Sequence, residues 1–583
     1  MKPAPRRWTV PSVAPLPGLP RVLGRVLAAR GFDADGAASW LDPDPVFHAP
    51  LLLPGMGEAV EIVRNALASG HRIAVYGDYD ADGVTACAML TRALRGAGAE
   101  VVPYIPNRMS EGYGLHAAAV AELAEDGVRC VITVDCGTSS VEVAAGRPAG
   151  MAMIVTDHHL PLAPSGEDPH LAPVDALINP KLPGSRYPFD GLAGAGVALK
   201  LLQALSEAAV IPEGALRHSV ALAALGTVAD MMPLRGENRA IVRAGLPALP
   251  ELAGVAALCE AAGISPPLRA SDVAFGLGPR INAAGRMEDA RLALRLCLAD
   301  DSDDARGAAA ELDLQNRQRQ QAVARALGEA EEEVEALDDA DAAIVVGSPR
   351  WPMGIVGLVA GRLAERYARP AFVACLDPAE AKGSARSAGG VHVVRVLDAA
   401  ASSLLRYGGH AAAAGFSLDA ARFDDFRSLV CGAAAEQLAD VARERVHAID
   451  CEISAVDATP QVCRELARLE PCGQGFAPPL LAVRGARVLG TTTFGAEGQH
   501  VRVSMWVGEG ALDAVAFHKP NIAAHLPRGR VVDACFALEL DSWDGQERVR
   551  AHLRDVRPAR SPAAPPVADP PLPATAAGAS VIG

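Results

Sequence analysis

An α/β fold of two α/β lobes joined by a long helix, with a small β-barrel after them, is predicted from three features of the sequence. Between Ile73 and Asn179 short apolar runs (IAVYG, VVPYI, CVITV, AMIVT, ALIN) alternate with helical patterns such as VTACAMLTRALRGAG and LHAAAVAELAEDG. The alternation resumes with AAIVVGS and AFVACL. After Leu480 it gives way to β-branched-rich alternating runs such as HVRVSMWVG, ALDAVAFH and VVDACFALEL. Apolar runs separated by helices build βαβ units and parallel sheets, whereas short alternating runs mark antiparallel strands with one buried face.

Taken in order, residues 1–70 form an N-terminal extension, broken early by Pro11, Pro15, Pro17 and Pro20, and 71–235 form the first α/β lobe. Residues 236–338 are mainly helical. The charged segment from Asp300 to Ala342 reads as a long solvated connecting helix, its acidic run EAEEEVEALDDADA as an exposed face rather than a binding tail. The second α/β lobe spans 339–445 and contains the glycine-rich pieces GSARSAGG and YGGHAAAAG. The barrel occupies 446–557, and the proline- and alanine-rich stretch 558–583 is expected to be disordered.

At 583 residues the chain exceeds one hydrophobic core, so clefts between domains are expected. A formal charge of −15 excludes a protein that coats nucleic acid through bulk positive charge. Phosphate binding must then use local arginines or metals. Eleven scattered cysteines without a CxxC pair read as buried thiols in a reducing compartment. With no signal-peptide core and no membrane-length apolar run, a cytoplasmic location without membrane attachment is expected.

The strongest chemical signal is Asp78, Asp80 and Asp82 in GDYDADG, where an apolar strand ends and a helix begins. Aspartates also cap helices, but one cap does not need three carboxylates, which repel one another unless cations neutralise them. Asp135 ends the run VITV, and Asp157, His158 and His159 end AMIVT, so these side chains gather at equivalent strand ends of one predicted sheet. Asp230 in LGTVADMMPL adds a carboxylate that is weak evidence alone. Oxygen and imidazole ligands without cysteine suit two divalent ions, Mn²⁺ or Mg²⁺, and a pair of such ions serves phosphoryl hydrolysis.

In this order, GDYDADG, VDCG, TDHH and GTVAD resemble the four motifs of the DHH phosphoesterase superfamily. With PNRMSEGYGL, GLGPRINAAGRM, GSARS and YGGHAAAAG, the chain is similar from about Leu53 to Arg554 to the RecJ family of bacterial single-strand-specific 5′→3′ exonucleases. The resemblance implies a DHH catalytic lobe, a DHHA1-like substrate-binding lobe and an OB-like nucleic-acid-binding barrel. It implies one metal on Asp80, Asp135 and Asp230 and another on Asp82, Asp135 and His158, with Asp135 bridging and Asp78 reaching a metal through water. Asp157 would tune the ligands, His159 would contact or protonate near the scissile phosphate, and His410 would face the substrate near the metals. Arg108, Arg280, Ser384 and Arg386 would gather around the 5′ end, and Arg286 and Asn282 are further substrate-side candidates. Trp506, Phe517, His518, Lys519 and Trp543 are either base-stacking and backbone contacts or barrel core. Cys472 and Phe476 in EPCGQGFAPP depart from the family pattern, which puts the barrel junction in question.

Implied partners are single-stranded DNA, a RecQ-type helicase and a single-stranded-DNA-binding protein, in DNA repair and recombination, with the chain acting as a monomer. The metal motifs alone leave open a hydrolase of short oligonucleotides or cyclic dinucleotides, a pyrophosphatase-like relative and a non-catalytic DNA-binding module. The long helix and third domain suit a clamp around a polymer. Clustered carboxylates, which repel DNA when metal-free, argue against a purely binding protein.

Overall fold

The computed structural model describes residues 1–559 apart from positions 3, 5, 43, 45, 109, 162–167, 439–443, 496 and 544–545, and no side chain at 542, 543 or 546. The Trp543 side chain and nearly all of the 558–583 tail therefore lie outside what is described. The chain divides into two compact units: Met1–Arg7, Asp42–Val446 and Glu470–Ala477 form one, and Trp8–Leu41, His447–Leu469 and Pro478–Gly583 the other. The N-terminal extension is thus shared between the two units. Within the stretch assigned to the barrel, Glu470–Ala477 belongs to the first.

The first unit holds two sheets. One is five-stranded and parallel, in the order Val101–Tyr104, Arg72–Gly77, Val128–Val134, Ala152–Thr156, Ala176–Ile178. Its central strands are apolar because helices cover both faces; Ile73, Val75, Val131, Ile132, Met153 and Ile154 are fully buried. The chain starts at Arg72–Gly77, runs to one edge, then crosses to Val128–Val134 on the other side. That reversal opens a crevice at the carboxyl ends of the strands, where Asp78 and Asp135 follow.

The second sheet runs Arg406–Gly409, Ala413–Asp419, Glu380–Arg386, Ala371–Leu376, Ile344–Ser348, and only its last pair is parallel. The glycine-rich pieces GSAR and YGG are strand here. Gly383 is needed because a Cβ there would meet the Phe416 ring at 2.1 Å.

The connecting helix spans Ser302–Glu335, capped by Asp301, whose carboxylate accepts from the amides of Asp303 and Asp304. It is not simply solvated. Ala305, Ala308, Leu312, Val323 and Val334 form a buried stripe, and with them Asp313, Gln315 and Asn316 are buried too.

In the second unit, Leu481–Phe494, His500–Val507, Gly510–Ala516, Gln546–Pro558 and Val531–Trp543 pair in that order, and the last pairs back with the first. The result is a closed five-stranded barrel that leaves no free strand edge, with Val501, Val503, Met505 and Phe536 among its buried side chains. Trp8 donates from its indole N–H to Asp555 at 2.8 Å. All eleven cysteines are free thiols, nine of them buried. Among the described residues no single helix is long and apolar enough to cross a membrane.

Candidate metal centre

Each acidic side chain is set by the turn that follows a buried strand. After Arg72–Gly77 the chain passes buried Asp78 and enters the helix Ala81–Gly96, capped by Asp80, which accepts from the amides of Asp82 at 2.9 Å and Gly83 at 3.2 Å. Asp82 sits in the first turn. Its two oxygens accept from the amides of Gly194 (2.6 Å) and Ala195 (2.9 Å) at the start of another helix. Asp135, buried after Val128–Val134, adopts φ +62°, a conformation aspartate tolerates better than most residues and that marks functional turns. Asp230 caps the end of Leu216–Ala229.

Asp157 accepts from the amides of Thr138 (2.9 Å), His158 (2.7 Å) and His159 (3.1 Å) and from His159 Nδ1 at 2.8 Å. Burial opposes its charge, yet the bonds from His159 and the backbone hold its pKa well below the usual carboxylate range. For His159 burial again opposes charge, but Asp157 and the nearby Asp78 and Asp80 raise its pKa. The 2.8 Å contact between Asp157 and His159 Nδ1 thus favours the charged form of each group.

His158 has the opposite character. With tautomers assigned from the hydrogen-bond network, its Nδ1 donates to the Leu192 carbonyl at 3.0 Å, so Nε2 carries a lone pair. That lone pair faces carboxylate oxygens of Asp135 at 3.2 Å, Asp230 at 3.7 Å and Asp82 at 3.9 Å. Burial, then His159, pushes the His158 pKa down to about 3, so a proton does not resolve the conflict near neutral pH. The buried Asp135 Oδ1 and Asp78 Oδ1 have no hydrogen-bond partner. Among the described residues no lysine or arginine forms an ion pair with these aspartates. Acceptors converging on acceptors call for cations, and carboxylate plus imidazole is a donor set that fits Mn²⁺ or Mg²⁺.

Candidate ligand atoms lie within 4.8 Å of one another in three overlapping groups: Asp78, Asp80 and Asp135; Asp82, His158 and Asp230; and Asp135, His158 and His159. Asp135 belongs to two of them. Asp230 falls beside Asp82 and His158, whereas the resemblance pairs it with Asp80. Asp78 stands close enough to group directly with Asp80 and Asp135.

Burial first, then neighbouring carboxylates, raises Asp78, Asp82, Asp135 and Asp230 above the ordinary value. A raised group holds its proton more tightly folded than unfolded. It adds stability to the metal-free protein below the ordinary carboxylate pKa of about 4 and loses it as pH climbs through the raised value. Cation binding expels those protons. Mn²⁺ is therefore expected to raise the Tm of EDTA-stripped protein more at about pH 8.5 than at about pH 6; an equal rise at both would contradict this electrostatic account.

The substrate-side candidates divide in two. Arg108 lies over the Tyr79 ring, 5.0 Å from its centroid. Arg386 donates to Ser384 Oγ and the Ala385 carbonyl, both at 2.8 Å. Burial, then Arg108 and Arg319, pushes the Arg286 pKa down to about 10, and burial and Arg108 lower that of Arg386. Among the described residues none of Arg108, Arg286 and Arg386 has a carboxylate hydrogen-bond or ion-pair partner, and Arg108 lies near enough to both of the others to lower their pKa.

Arg280 is differently placed. It is paired with buried Asp313 at 2.9 Å and donates to the Gly276 carbonyl at 2.8 Å. Asn282 accepts from the Ala81 amide at 2.8 Å, bracing the helix that carries Asp82. His410 lies in the turn between Arg406–Gly409 and Ala413–Asp419; burial, then His159 and Lys181, lowers its pKa.

Sequence reasoning missed several contributors. The Tyr113 hydroxyl lies 3.2 Å from His159 Nδ1, and buried Asn179 donates to the His159 carbonyl at 2.9 Å. At Gly194 a Cβ would lie 2.6 Å from the Asp135 carboxylate, and at Gly226 2.7 Å from Asp82. The small-residue run GLAGAG was the one available hint.

A parallel sheet bearing this carboxylate and histidine cluster at its switch point, with a second lobe supplying arginine, defines a phosphoesterase-type scaffold. The family models agree: the DHH family N-terminal domain matches residues 72–227, the DHHA1 domain 340–436 and the RecJ OB domain 449–555. The chain is 34% identical over 582 residues to the single-stranded-DNA-specific exonuclease RecJ of Escherichia coli K12, covering 95% of this chain and 99% of that protein. It is 35% identical to that of Bacillus subtilis 168, covering 92% and 67%. The crystal structure of RecJ in complex with Mn²⁺ from Thermus thermophilus superposes with a TM-score of 0.79 at 33% identity, covering 96% of this chain and 80% of that one. The chain belongs to the RecJ family.

Proposed function

We propose that the chain is a single-stranded-DNA-specific 5′→3′ exonuclease that releases 5′-mononucleotides by metal-dependent phosphodiester hydrolysis. The observation that carries this reading is the unprotonated Nε2 of His158 facing three aspartates. Asp78, Asp80, Asp82, Asp135, His158 and Asp230 hold two divalent ions, Mn²⁺ or Mg²⁺. Bound there, the ions neutralise the phosphodiester and lower the pKa of water. The protein's own groups do the rest. Asp157 keeps His159 charged and oriented, so that its imidazolium donates a proton or hydrogen bond at the scissile phosphate. Arg108, Arg286 and Arg386, with Ser384, grip phosphate oxygens at the 5′ end. His410 meets the substrate from the second lobe. Arg280, braced by Asp313, reads the 5′ end from the helical region, and Asn282 acts through the Asp82 helix.

Residues 71–235 are the catalytic domain, 236–338 the helical connection, 339–445 the substrate-binding domain and 446–557 a nucleic-acid-binding barrel, the last supported by the match of 449–555 to the RecJ OB domain. Cytoplasmic location, a monomeric state, and cooperation with a RecQ-type helicase and a single-stranded-DNA-binding protein in repair and recombination complete the reading.

The test follows 5′- and 3′-labelled single-stranded and duplex DNA over time with Mn²⁺, Mg²⁺ or chelator. Immediate release of the 5′ label as a mononucleotide, from single strands and only with metal, is expected. Survival of long DNA while dinucleotides are cleaved would favour a short-oligonucleotide hydrolase instead. Arg386→Ala is expected to raise KM for 5′-phosphorylated strands about tenfold or more while kcat changes little. A variant that still prefers 5′-phosphate over 5′-hydroxyl ends as strongly as the wild type would remove Arg386 from the 5′-end grip.

A further inference from the structure

The sequence PLRGENRA follows Asp230 by three residues, and Glu237, Asn238 and Arg239 in it are all buried, at 1%, 0% and 6% exposure. Three consecutive buried polar residues at the start of the helix Gly236–Gly245 are more than helix formation requires, since each must find partners. Their partners lie in different parts of the first unit. Glu237 accepts from Lys200 at 2.8 Å and from the Tyr187 hydroxyl. Arg239 donates to the carbonyls of Glu470 at 2.9 Å and Pro471 at 3.0 Å. Asn238 Nδ2 donates to the Gly191 carbonyl at 2.6 Å and the Pro233 carbonyl at 3.1 Å.

Those last two carbonyls belong to the two loops that assemble one half of the metal centre. Just past Gly191 come the Leu192 carbonyl, which fixes the tautomer of His158, and the Gly194 and Ala195 amides that hold both oxygens of Asp82. Just before Pro233 comes Asp230, followed by Met231 at φ +56°. Beyond Pro233, the Leu234 amide donates to the Gln474 carbonyl at 2.8 Å, so the Asp230 loop is held from its far side as well. Both partners of Asn238 Nδ2 are carbonyls in irregular backbone, which settles the orientation of the amide and leaves no role there for an acceptor.

We propose that Asn238 is a positioning residue for the metal centre: its amide fixes the spacing between the loop that orients Asp82 and His158 and the loop that presents Asp230. This rests on the metal-binding reading of the site and adds a residue that touches no ligand atom. Outer partners of this kind tune metal affinity because a small displacement of a ligand loop is felt by each ligand it carries.

The test uses the full chain without DNA. Mn²⁺ is titrated into EDTA-stripped protein while the free-ion signal is followed by electron paramagnetic resonance, for wild type, Asn238→Asp and Asn238→Ser, beside the Tm of each metal-free protein. Asn238→Asp keeps the shape but sets acceptors against two carbonyls, and Asn238→Ser keeps one short donor. Dissociation constants raised about 10–100-fold for Asn238→Asp and by less for Asn238→Ser are expected. Wild-type Mn²⁺ affinity in either folded variant, with only the metal-free Tm lowered, would show that the amide merely stabilises the fold and overturn the proposal. Failure of both variants to fold would overturn it equally. Wild-type protein that binds no Mn²⁺ would instead sink the proposed function, which keeps the two failures apart.

Discussion

Asp135→Asn is expected to lower turnover at saturating Mn²⁺ by roughly 10³-fold or more, because it removes the one charge shared by two ligand groups while keeping the side chain's shape. Asp135 is 2% exposed, its Oδ1 has no hydrogen-bond partner, and burial, then the carboxylates of Asp82, Asp80, Asp230 and Asp78, oppose its charge. In the metal-free protein the charge is therefore a cost, and the variant should melt higher than wild type in EDTA. It should gain little or nothing from Mn²⁺. Opposite signs in stability and activity are the mark of a residue kept for chemistry at the expense of the fold. Near-normal turnover at saturating Mn²⁺, or a metal-free Tm below that of wild type, would refute the ligand assignment.

The gathering of carboxylates was legible because strand ends are legible. An uninterrupted apolar run fixes where a buried parallel strand stops, and a carboxylate at that point has nowhere to go but the crevice, which is why the sequence alone gathers Asp78, Asp135 and Asp157. The barrel was legible for a related reason, its alternating runs fixing which face is buried. What stayed hidden depends on partners distant in sequence. Arg280 looks like any exposed arginine until Asp313, 33 residues on, is found against it. The buried polar stripe of Ser302–Glu335 uses the same residue types as a solvated helix face, so charge pattern alone could not separate them. The mixed second sheet was obscured because Gly383, Gly408 and Gly409 read as loop, although Gly383 is demanded by the Phe416 ring packed across from it. Asn238 carried no signal, since a lone asparagine near a helix start reads as a cap.

Gly194→Ala should give the second largest effect, and its mechanism is steric. The residue does not lie in the left-handed region, so backbone strain is not the issue. A Cβ there would stand 2.6 Å from both the Cβ and Oδ1 of Asp135, while the Gly194 amide donates to Asp82 Oδ2 at 2.6 Å. One methyl group cannot be accommodated without moving Asp135 or breaking the bond that fixes Asp82. Overpacking a tight site costs about 1–3 kcal/mol of stability. The activity loss should be larger than that cost suggests, on the order of 10²-fold or more, since displaced ligands act together. Gly307, exposed on the connecting helix with nothing within 4 Å of its would-be Cβ, is the matched control. There Gly→Ala should stabilise by roughly 0.5–1 kcal/mol and leave turnover alone. The comparison is read from Tm and from initial rates over a Mn²⁺ series. If Gly194→Ala loses stability like any overpacked site but reaches wild-type turnover once Mn²⁺ is raised, Asp135 and Asp82 have room to shift, and the close approach of the two loops reflects packing rather than chemistry.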